Sequence, residues 1–196
     1  MTSNKISSIR LNQPTCPWWF LFTFDNPLRK FYQDPEKILS PYLKPGDRVV
    51  DIGCGMGYFT IPMAKIVQEN GKVIAVDMQS KMLTGLRKRA DRAGVGELIE
   101  LHQCTQDLIG ITGPVDFVLA FWMVHEIHHL QSFLEQIFQI LKDDGQFLIA
   151  EPYIHVTGKA FHQTVAEIKA IGFSIKKQPS IGFSRSILAQ KGKGKN

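Results

Sequence analysis

The chain has 196 residues and a formal net charge of +5, with 44% hydrophobic and 21% charged residues. This length and composition suit one compact soluble domain and leave little chain for a second one. No apolar run is long enough to cross a bilayer, so a membrane span is not expected. The three cysteines, Cys16, Cys54 and Cys104, include no C-x-x-C pair, which argues against a disulfide scaffold or structural zinc and favours a reducing cytoplasm.

Residues 1–34 form an N-terminal extension that precedes the first regular pattern. They contain the stretch Cys16-Pro17-Trp18-Trp19. This stretch is either a lid over a binding site or apolar cover for the edge of a sheet. A short helix is expected at Pro35–Leu43, packed on the ligand side of the sheet, and the main domain is expected to span 35–190.

Short apolar runs then alternate with segments of helical periodicity. Since each helix links two strands, the crossovers predict a mostly parallel sheet covered on both faces. The last two strands are joined by a loop too short for a crossover, so one of them must be antiparallel. We therefore predict an α/β fold with a seven-stranded sheet. The expected strands are 48–53, 72–77, 98–103, 115–122, 146–152, 173–178 and 183–190, and the helices between them are 58–68, 79–93, 130–141 and 159–171, with a turn at 143–145.

The last six residues, 191–196, read KGKGKN and are expected to form a flexible basic tail. Such a tail either contacts nucleic acid or keeps the chain soluble. The second interpretation is favoured, because the rest of the chain is only modestly basic.

The turn after the first strand contains the loop Asp51-Ile52-Gly53-Cys54-Gly55-Met56-Gly57. Glycines there let the backbone approach a ligand closely, and the helix that follows offers free N–H groups. The G-x-G-x-G spacing differs from the G-x-G-x-x-G fingerprint of dinucleotide sites. Asp51 would repel a pyrophosphate and suits an ammonium group, so the loop favours an amino-acid-like ligand over NAD.

Asp77 ends the second strand, 26 residues after Asp51. A carboxylate at this strand end can accept hydrogen bonds from both hydroxyls of a ribose, although it can also cap the next helix. The glycine loop upstream favours the ribose role. Met78, the next residue, is suited to pack on an adenine face.

The segments VVDIGCGMGYFT and VIAVDMQSKML resemble the first two motifs of class I methyltransferases that use S-adenosylmethionine (SAM), and LKDDGQFLI resembles their turn before the fifth strand. The resemblance covers about Pro35 to the end of the chain, and the ubiquinone-biosynthesis-like branch is the nearest. It implies a Rossmann-like fold and SAM as cofactor. Relatives often have an Asp for the adenine amino group, where this chain has Thr105 and Gln106; with a shifted register, Asp107 is the alternative. The implied cofactor residues are Asp51, Gly53, Cys54, Gly55 and Gly57 around the methionine end, Asp77 at the ribose, Met78, Thr105 and Gln106 at the adenine, and Phe121 beside the methyl donor.

Two residues at strand ends are candidates for contact with the methyl acceptor. His125 follows the fourth strand and is a candidate general base or substrate contact, or else a hydrogen-bonded loop histidine. Glu151 ends the fifth strand and either binds an acceptor or caps the local backbone. His125 and His129 have the H-E-x-x-H spacing of a zinc site, but no metal is expected because the segment is predicted to be a loop rather than a helix.

The sequence thus predicts a SAM-dependent methyltransferase that acts by in-line displacement on a small-molecule acceptor. Positioning alone can suffice for this reaction, since the methyl group is already activated. An RNA methyltransferase, suggested by the basic tail and the Arg87-Lys88-Arg89 stretch, is the alternative. A SAM-binding protein without catalysis and a nicotinamide oxidoreductase are the others. The sequence identifies neither the acceptor nor an oligomeric state.

Overall fold

A computed structural model describes residues 29–192, and within them the strands form a single sheet. The strands lie in the order β3-β2-β1-β4-β5-β7-β6, and β7 runs antiparallel to both of its neighbours. The predicted seven-stranded, mostly parallel sheet with an antiparallel last strand is therefore confirmed. The strands are β1 (Arg48–Ile52), β2 (Lys72–Asp77), β3 (Ile99–Gln103), β4 (Val115–Phe121), β5 (Leu141–Pro152), β6 (Phe173–Lys177) and β7 (Ser184–Lys191).

Helices cover both faces of the sheet because the buried strands carry apolar residues on both sides. Val50 and Val118 belong to the cluster that packs against α5 and α6, while Val49 and Phe117 belong to the cluster on the opposite face. Neighbouring residues of a strand point to opposite faces, which explains this division. The helices are α1 (Arg29–Tyr32), α2 (Pro35–Leu39), α3 (Thr60–Val67), α4 (Ser80–Arg92), α5 (Leu130–Ile140) and α6 (Gly158–Ile171), with 3-10 turns at Gly96–Leu98 and Val124–Glu126.

The helix expected at Pro35–Leu43 is shorter than predicted. Asp34 caps its start by accepting a hydrogen bond from the Glu36 N–H, but the helix ends at Leu39. Ser40 keeps helical backbone angles and donates its N–H to Glu36 O, but Pro41 has no N–H with which to continue the hydrogen-bond ladder. The chain then turns through Leu43, whose N–H donates to Leu39 O.

The turn expected at 143–145 lies inside β5. Leu141 pairs with Val115 and Gln146 pairs with Phe117, so the residues between Leu141 and Gln146 leave the ladder as an irregularity. Asp144 adopts a left-handed φ of 64° there. The stretch Cys16-Pro17-Trp18-Trp19 and residues 193–196 of the tail lie outside the described residues. Within 29–192, no helix has the length and apolar character needed to cross a membrane.

The order of the strands creates a crevice at one edge of the sheet. From β1 the chain moves outward through β2 and β3, and it then returns to the other side of β1 to form β4 and β5. In open parallel sheets, ligands bind beyond the carboxyl ends of the strands where the order reverses. The loops after β1 and β4 therefore flank the expected site.

Gly57 closes the glycine loop against α4. Its φ is +89°, and a Cβ at this position would overlap the Cδ1 of Leu86, which is fully buried. The absence of a side chain at Gly57 therefore allows the loop to pack on the helix.

We expect Gly57→Ala to lower the free energy of unfolding by about 2–5 kcal/mol, combining a Cβ at positive φ with overpacking. Gly94→Ala is the matched control, because Gly94 also has a positive φ of +71° but a Cβ there meets nothing within 4 Å. The control should lose only about 1–2 kcal/mol. Urea unfolding monitored by tryptophan fluorescence measures the free energy of unfolding of both variants. Equal losses in the two variants would contradict the packing role of Gly57.

Candidate active site

A cavity of about 720 Å³ lies at the carboxyl ends of the parallel strands. This volume is within the usual range for small-molecule sites. Arg29 and Tyr32 of α1 border it on one side. Most of its lining comes from the loops after the strands, in segments 51–59, 77–79, 104–109, 121–129 and 152–155.

Asp51 is a buried carboxylate on the floor of this cavity, with 2% of its surface exposed. Thr60, at the start of α3, donates a hydrogen bond of 2.5 Å to its Oδ2. Burial raises the pKa of Asp51 to about 7, the Thr60 hydrogen bond opposes the rise, and the charge of Asp77 adds to it. A cationic ligand beside Asp51 would offset much of the cost of burying its charge, because a nearby positive charge favours the charged carboxylate.

Asp77 organises the glycine loop and also faces the cavity. Its Oδ2 accepts a hydrogen bond of 3.0 Å from the Gly55 N–H, and its Oδ1 accepts one of 2.8 Å from the Gln79 N–H. Burial raises its pKa, while the backbone hydrogen bonds lower it. Gln79, rather than Asp77, occupies the cap position of α4. Each carboxylate oxygen can accept a further bond, so Asp77 remains available to a ligand donor.

Four N–H groups of the glycine loop are used within the protein. Those of Gly53 and Cys54 donate to Val76 O at 2.8 and 3.1 Å, and that of Gly57 donates to Cys54 O at 3.0 Å. With Gly55 bound to Asp77, the loop keeps few donors for a phosphate group. The loop therefore presents carboxylates to a ligand and lets the backbone approach it closely. It does not form the cradle of N–H groups that a pyrophosphate needs.

The glycines of the loop have different surroundings. Gly53 and Gly55 line the cavity with positive φ values of 72° and 54°. A Cβ at Gly53 would come within 3.0 Å of Met123 Cγ, so Gly53 brings the glycine loop against the loop that follows β4. Gly57, a predicted cofactor residue, is not part of the cavity lining and packs on Leu86 instead.

Cys54 and Cys104 line the cavity as neutral thiols. Burial raises the pKa of Cys54 well above its ordinary value and that of Cys104 to about 11, with the charges of the nearby aspartates adding to both. A thiolate is the form that binds metal. Within residues 29–192, no group of three or more His, Cys, Asp or Glu side chains is arranged to hold a metal ion.

The residues expected at the adenine line the cavity beside the ends of β2 and β3. Thr105 Oγ1 accepts a hydrogen bond from the Leu108 N–H, and Gln106 Nε2 lies 2.5 Å from His128 Nδ1. Met78 is 40% exposed at this end, which leaves its side chain open to an apolar ring. Phe121 lines the cavity at the end of β4 and packs on Phe59 with ring centroids 4.2 Å apart.

His125 and Glu151, the two acceptor-side candidates, are in direct contact. Glu151 is 2% exposed and accepts hydrogen bonds from the N–H groups of Val124 and His125 at 2.9 and 3.1 Å. Its Oε2 lies 2.6 Å from His125 Nδ1. His125 lines the cavity, whereas Glu151 lies behind it. This geometry supports the backbone-capping interpretation of Glu151 and adds an ion-pair partner for His125.

The two histidines of the H-E-x-x-H spacing have separate partners. His125 Nδ1 faces Glu151, while His129 Nε2 is 4.0 Å from Asp107 on the exposed rim. The segment forms a 3-10 turn at Val124–Glu126 rather than an α-helix. The i, i+4 geometry that would bring both rings to one metal is therefore not formed.

Arg29 is the main lining residue that the sequence did not indicate. Its guanidinium lies 4.1 Å from the ring centroid of Tyr58 and 5.0 Å from that of Trp122, and its Nε donates to Gln33 Oε1 at 2.8 Å. Gln33 is fully buried and donates in turn to Gly182 O at 2.7 Å. Gln33 is only four residues from Arg29, but Tyr58 and Trp122 are far along the chain, so no local pattern marks Arg29 as a cavity residue.

The fold and this acidic glycine loop at the switch point define a Rossmann-like α/β protein of the class I methyltransferase type. A family model described as "Methyltransferase domain" matches residues 43–190. The chain therefore belongs to the methyltransferase-domain family.

Known relatives agree with this family. The chain is similar to a demethylmenaquinone methyltransferase of Symbiobacterium thermophilum, at 31% identity over 59% of this chain and 47% of that protein. It is also similar to a carboxy-S-adenosyl-L-methionine synthase of Nautilia profundicola, at 30% identity over 79% of this chain and 62% of that protein. The chain thus spans only about half the length of several curated relatives.

Among solved structures, a SAM-dependent methyltransferase from Aquifex aeolicus superimposes with a TM-score of 0.81. The superposition covers 90% of this chain and 99% of that one, at 23% sequence identity. At this identity the similarity establishes the fold alone.

The raised pKa of Asp51 predicts a pH-dependent contribution to stability. The folded state holds the Asp51 proton up to about pH 7, whereas an unfolded chain releases it near about 3.9. Stability from this group is thus complete at low pH and falls as pH rises through this window, by at most about 1.4 kcal/mol per pH unit. Asp51→Asn should remove this slope.

Urea unfolding between about pH 4.5 and about pH 7.5 measures the slope through linked protonation. As pH rises, the unfolding free energy of the parent should fall relative to that of Asp51→Asn. Glu135→Gln, at an exposed carboxylate on α5, should parallel the parent. Parallel curves for the parent and Asp51→Asn would contradict the raised pKa.

Proposed function

We propose that the protein is a SAM-dependent methyltransferase that acts on a small-molecule acceptor. The observation that carries this proposal is the glycine loop, which presents the carboxylates Asp51 and Asp77 to the cavity while its N–H groups are occupied. Such a loop suits a ligand that brings hydrogen-bond donors and positive charge. SAM has an ammonium group, a sulfonium and two ribose hydroxyls, and so fits this requirement.

We assign lining residues to each part of SAM. Asp51 would pair with the ammonium group, and Asp77 would accept hydrogen bonds from the ribose hydroxyls. Met78 would pack on the adenine, next to Thr105. Arg29, which lies over Tyr58 directly after the glycine loop, would supply positive charge for the methionine carboxylate.

When bound, SAM supplies a methyl group on an already activated sulfur. The chain's task is then to align the acceptor with that carbon and to exclude water. The loop that follows β4 contacts Gly53 through Met123 and carries His125 on the same cavity wall. It is therefore the segment best placed to position an acceptor.

We expect the acceptor to be a small aromatic molecule, because aromatic side chains line the cavity. The lining of the cavity includes Phe121, Trp122, Tyr153 and Phe183. Rings of this kind stack on flat apolar ligands. The relatives named as a demethylmenaquinone methyltransferase and as a ubiquinone/menaquinone biosynthesis C-methyltransferase agree with an aromatic acceptor, although the second is named for transfer to carbon.

The structure gives no specific support for RNA as the acceptor. Arg87, in the basic stretch 87–89, donates to Gly96 O and Ile99 O at 2.7 and 3.0 Å and so holds a local loop. The SAM-binding alternative without catalysis makes the same binding prediction and differs only in turnover.

Calorimetry with S-adenosylhomocysteine, the demethylated product of SAM, tests the proposed cofactor. We expect the parent to bind it and Asp77→Ala to bind it at least about tenfold more weakly, because a charged hydrogen-bond acceptor is lost. Glu167→Ala, at an exposed carboxylate on α6, should match the parent. Failure of the parent to bind, equal binding by Asp77→Ala, or stronger binding of NAD would overturn the proposal.

A further inference from the structure

His125 and Glu151 form a dyad, and the His125 ring lines the cavity. The 2.6 Å contact with Glu151 uses His125 Nδ1. Within the described residues, the hydrogen bonds of the His125 ring involve only that nitrogen, and the ring borders the cavity with 17% of its side chain exposed. Nε2 is therefore the ring nitrogen left for a ligand.

The protonation of the ring follows from its partner. A carboxylate accepts hydrogen bonds, so Glu151 requires a proton on Nδ1. In the neutral ring, this places the lone pair on Nε2, which is the form that accepts a proton. Glu151 also binds the N–H groups of Val124 and His125, so it fixes the backbone as well as the ring.

The surroundings of the ring hold it in place. His155 stacks on His125 with ring centroids 5.5 Å apart and an interplanar angle of 2°. Met123, two residues before His125, contacts the glycine loop at Gly53. The ring thus lies two residues along the chain from a contact with the glycine loop, and it lines the same cavity as the aromatic side chains.

We infer that His125 is a catalytic base that removes the proton from a phenolic hydroxyl of the acceptor, and that Glu151 is its positioning residue. This inference rests on the proposed function. As His125 Nε2 takes the hydroxyl proton, a lone pair of the phenolic oxygen forms a bond to the methyl carbon. The carbon–sulfur bond breaks, and its electron pair stays on sulfur as a neutral thioether. The products are an aryl methyl ether, S-adenosylhomocysteine and a protonated His125.

The charged and titratable groups around the ring give this base a defined pH dependence. Burial lowers the pKa of His125. The hydrogen bond and charge of Glu151 and the charge of Glu126 raise the pKa by more than burial lowers it, so the net shift is upward. His155 is the other titratable group that contacts the ring. Activity that requires the neutral ring should rise with pH through a midpoint above the ordinary value of about 6.5.

The test compares phenols that differ in acidity, with SAM as methyl donor and the methyl ethers measured by mass spectrometry. Phenol itself keeps its proton at about pH 8, as tyrosine does, and needs a base. 4-Nitrophenol is mostly ionised at that pH and does not. We expect His125→Gln to lower kcat for phenol by about 100-fold or more, and for 4-nitrophenol by less than about fivefold.

Glu151→Gln tests the positioning role. It should move the midpoint of the pH profile for phenol downward, because it removes the charge that raises the pKa of His125. Both variants should keep the affinity of the parent for S-adenosylhomocysteine within about twofold, since neither residue lies at the proposed cofactor carboxylates. His162→Gln, at an exposed histidine on α6, is the matched control and should behave as the parent.

The outcomes separate the inference from the proposed function. No binding of S-adenosylhomocysteine by the parent would refute the proposed function itself. Binding without methyl transfer to any phenol, or transfer to a ring carbon instead of oxygen, would overturn the acceptor class. Equal losses for phenol and 4-nitrophenol in His125→Gln, or an unshifted pH profile in Glu151→Gln, would overturn the base.

Discussion

The candidate site depends on the attachment of the glycine loop to the end of β2. Val76 O receives the N–H groups of Gly53 and Cys54, and the Asp77 carboxylate receives that of Gly55. These bonds fix the loop and at the same time remove its donors from the cavity. The loop therefore becomes a surface of carboxylates and bare backbone, and this decides which ligands it suits.

This arrangement has a cost in stability, because Asp51 is buried, Asp77 is half-buried and their charges repel. Thr60 and the backbone N–H groups offset only part of the desolvation of these carboxylates. A fold selected for stability alone would place apolar residues there. Buried carboxylates with raised pKa values are typical of sites that meet a charged ligand, which completes the neutralisation that the protein leaves unfinished.

Local patterns in the sequence predicted the sheet, its antiparallel strand and the two carboxylates, because alternation of strands and helices and the glycine spacing are short-range features. Thr105, Gln106, Met78 and Phe121 were expected to bind cofactor and do line the cavity, although their contacts with a ligand stay a prediction. The arrangement of Arg29, which depends on Gln33, Tyr58 and Trp122, was not predictable because these partners meet only in the folded chain. For the same reason, the sequence identified His125 and Glu151 as residues at two strand ends but did not predict that they are in contact.

The two halves of the cavity are held by different neighbours of the central strands. The donor half is bound to β2 through Val76 and Asp77, on one side of β1. The acceptor half is bound to β5, on the far side of β4. There the backbone N–H of Trp122 donates to Ala150 O at 2.7 Å, and the Glu151 carboxylate accepts a hydrogen bond from the Val124 N–H in the following turn. The two sides meet where Met123 contacts Gly53 and where Phe121 packs on Phe59, but their hydrogen bonds run to different strands, so the loop after β4 can change its chemistry while the glycine loop keeps its ligand. A fold built in this way can keep one cofactor site while the acceptor changes. The residues of the donor site are therefore predictable from sequence patterns, whereas the acceptor is inferred from the His125–Glu151 dyad and the aromatic lining of the cavity.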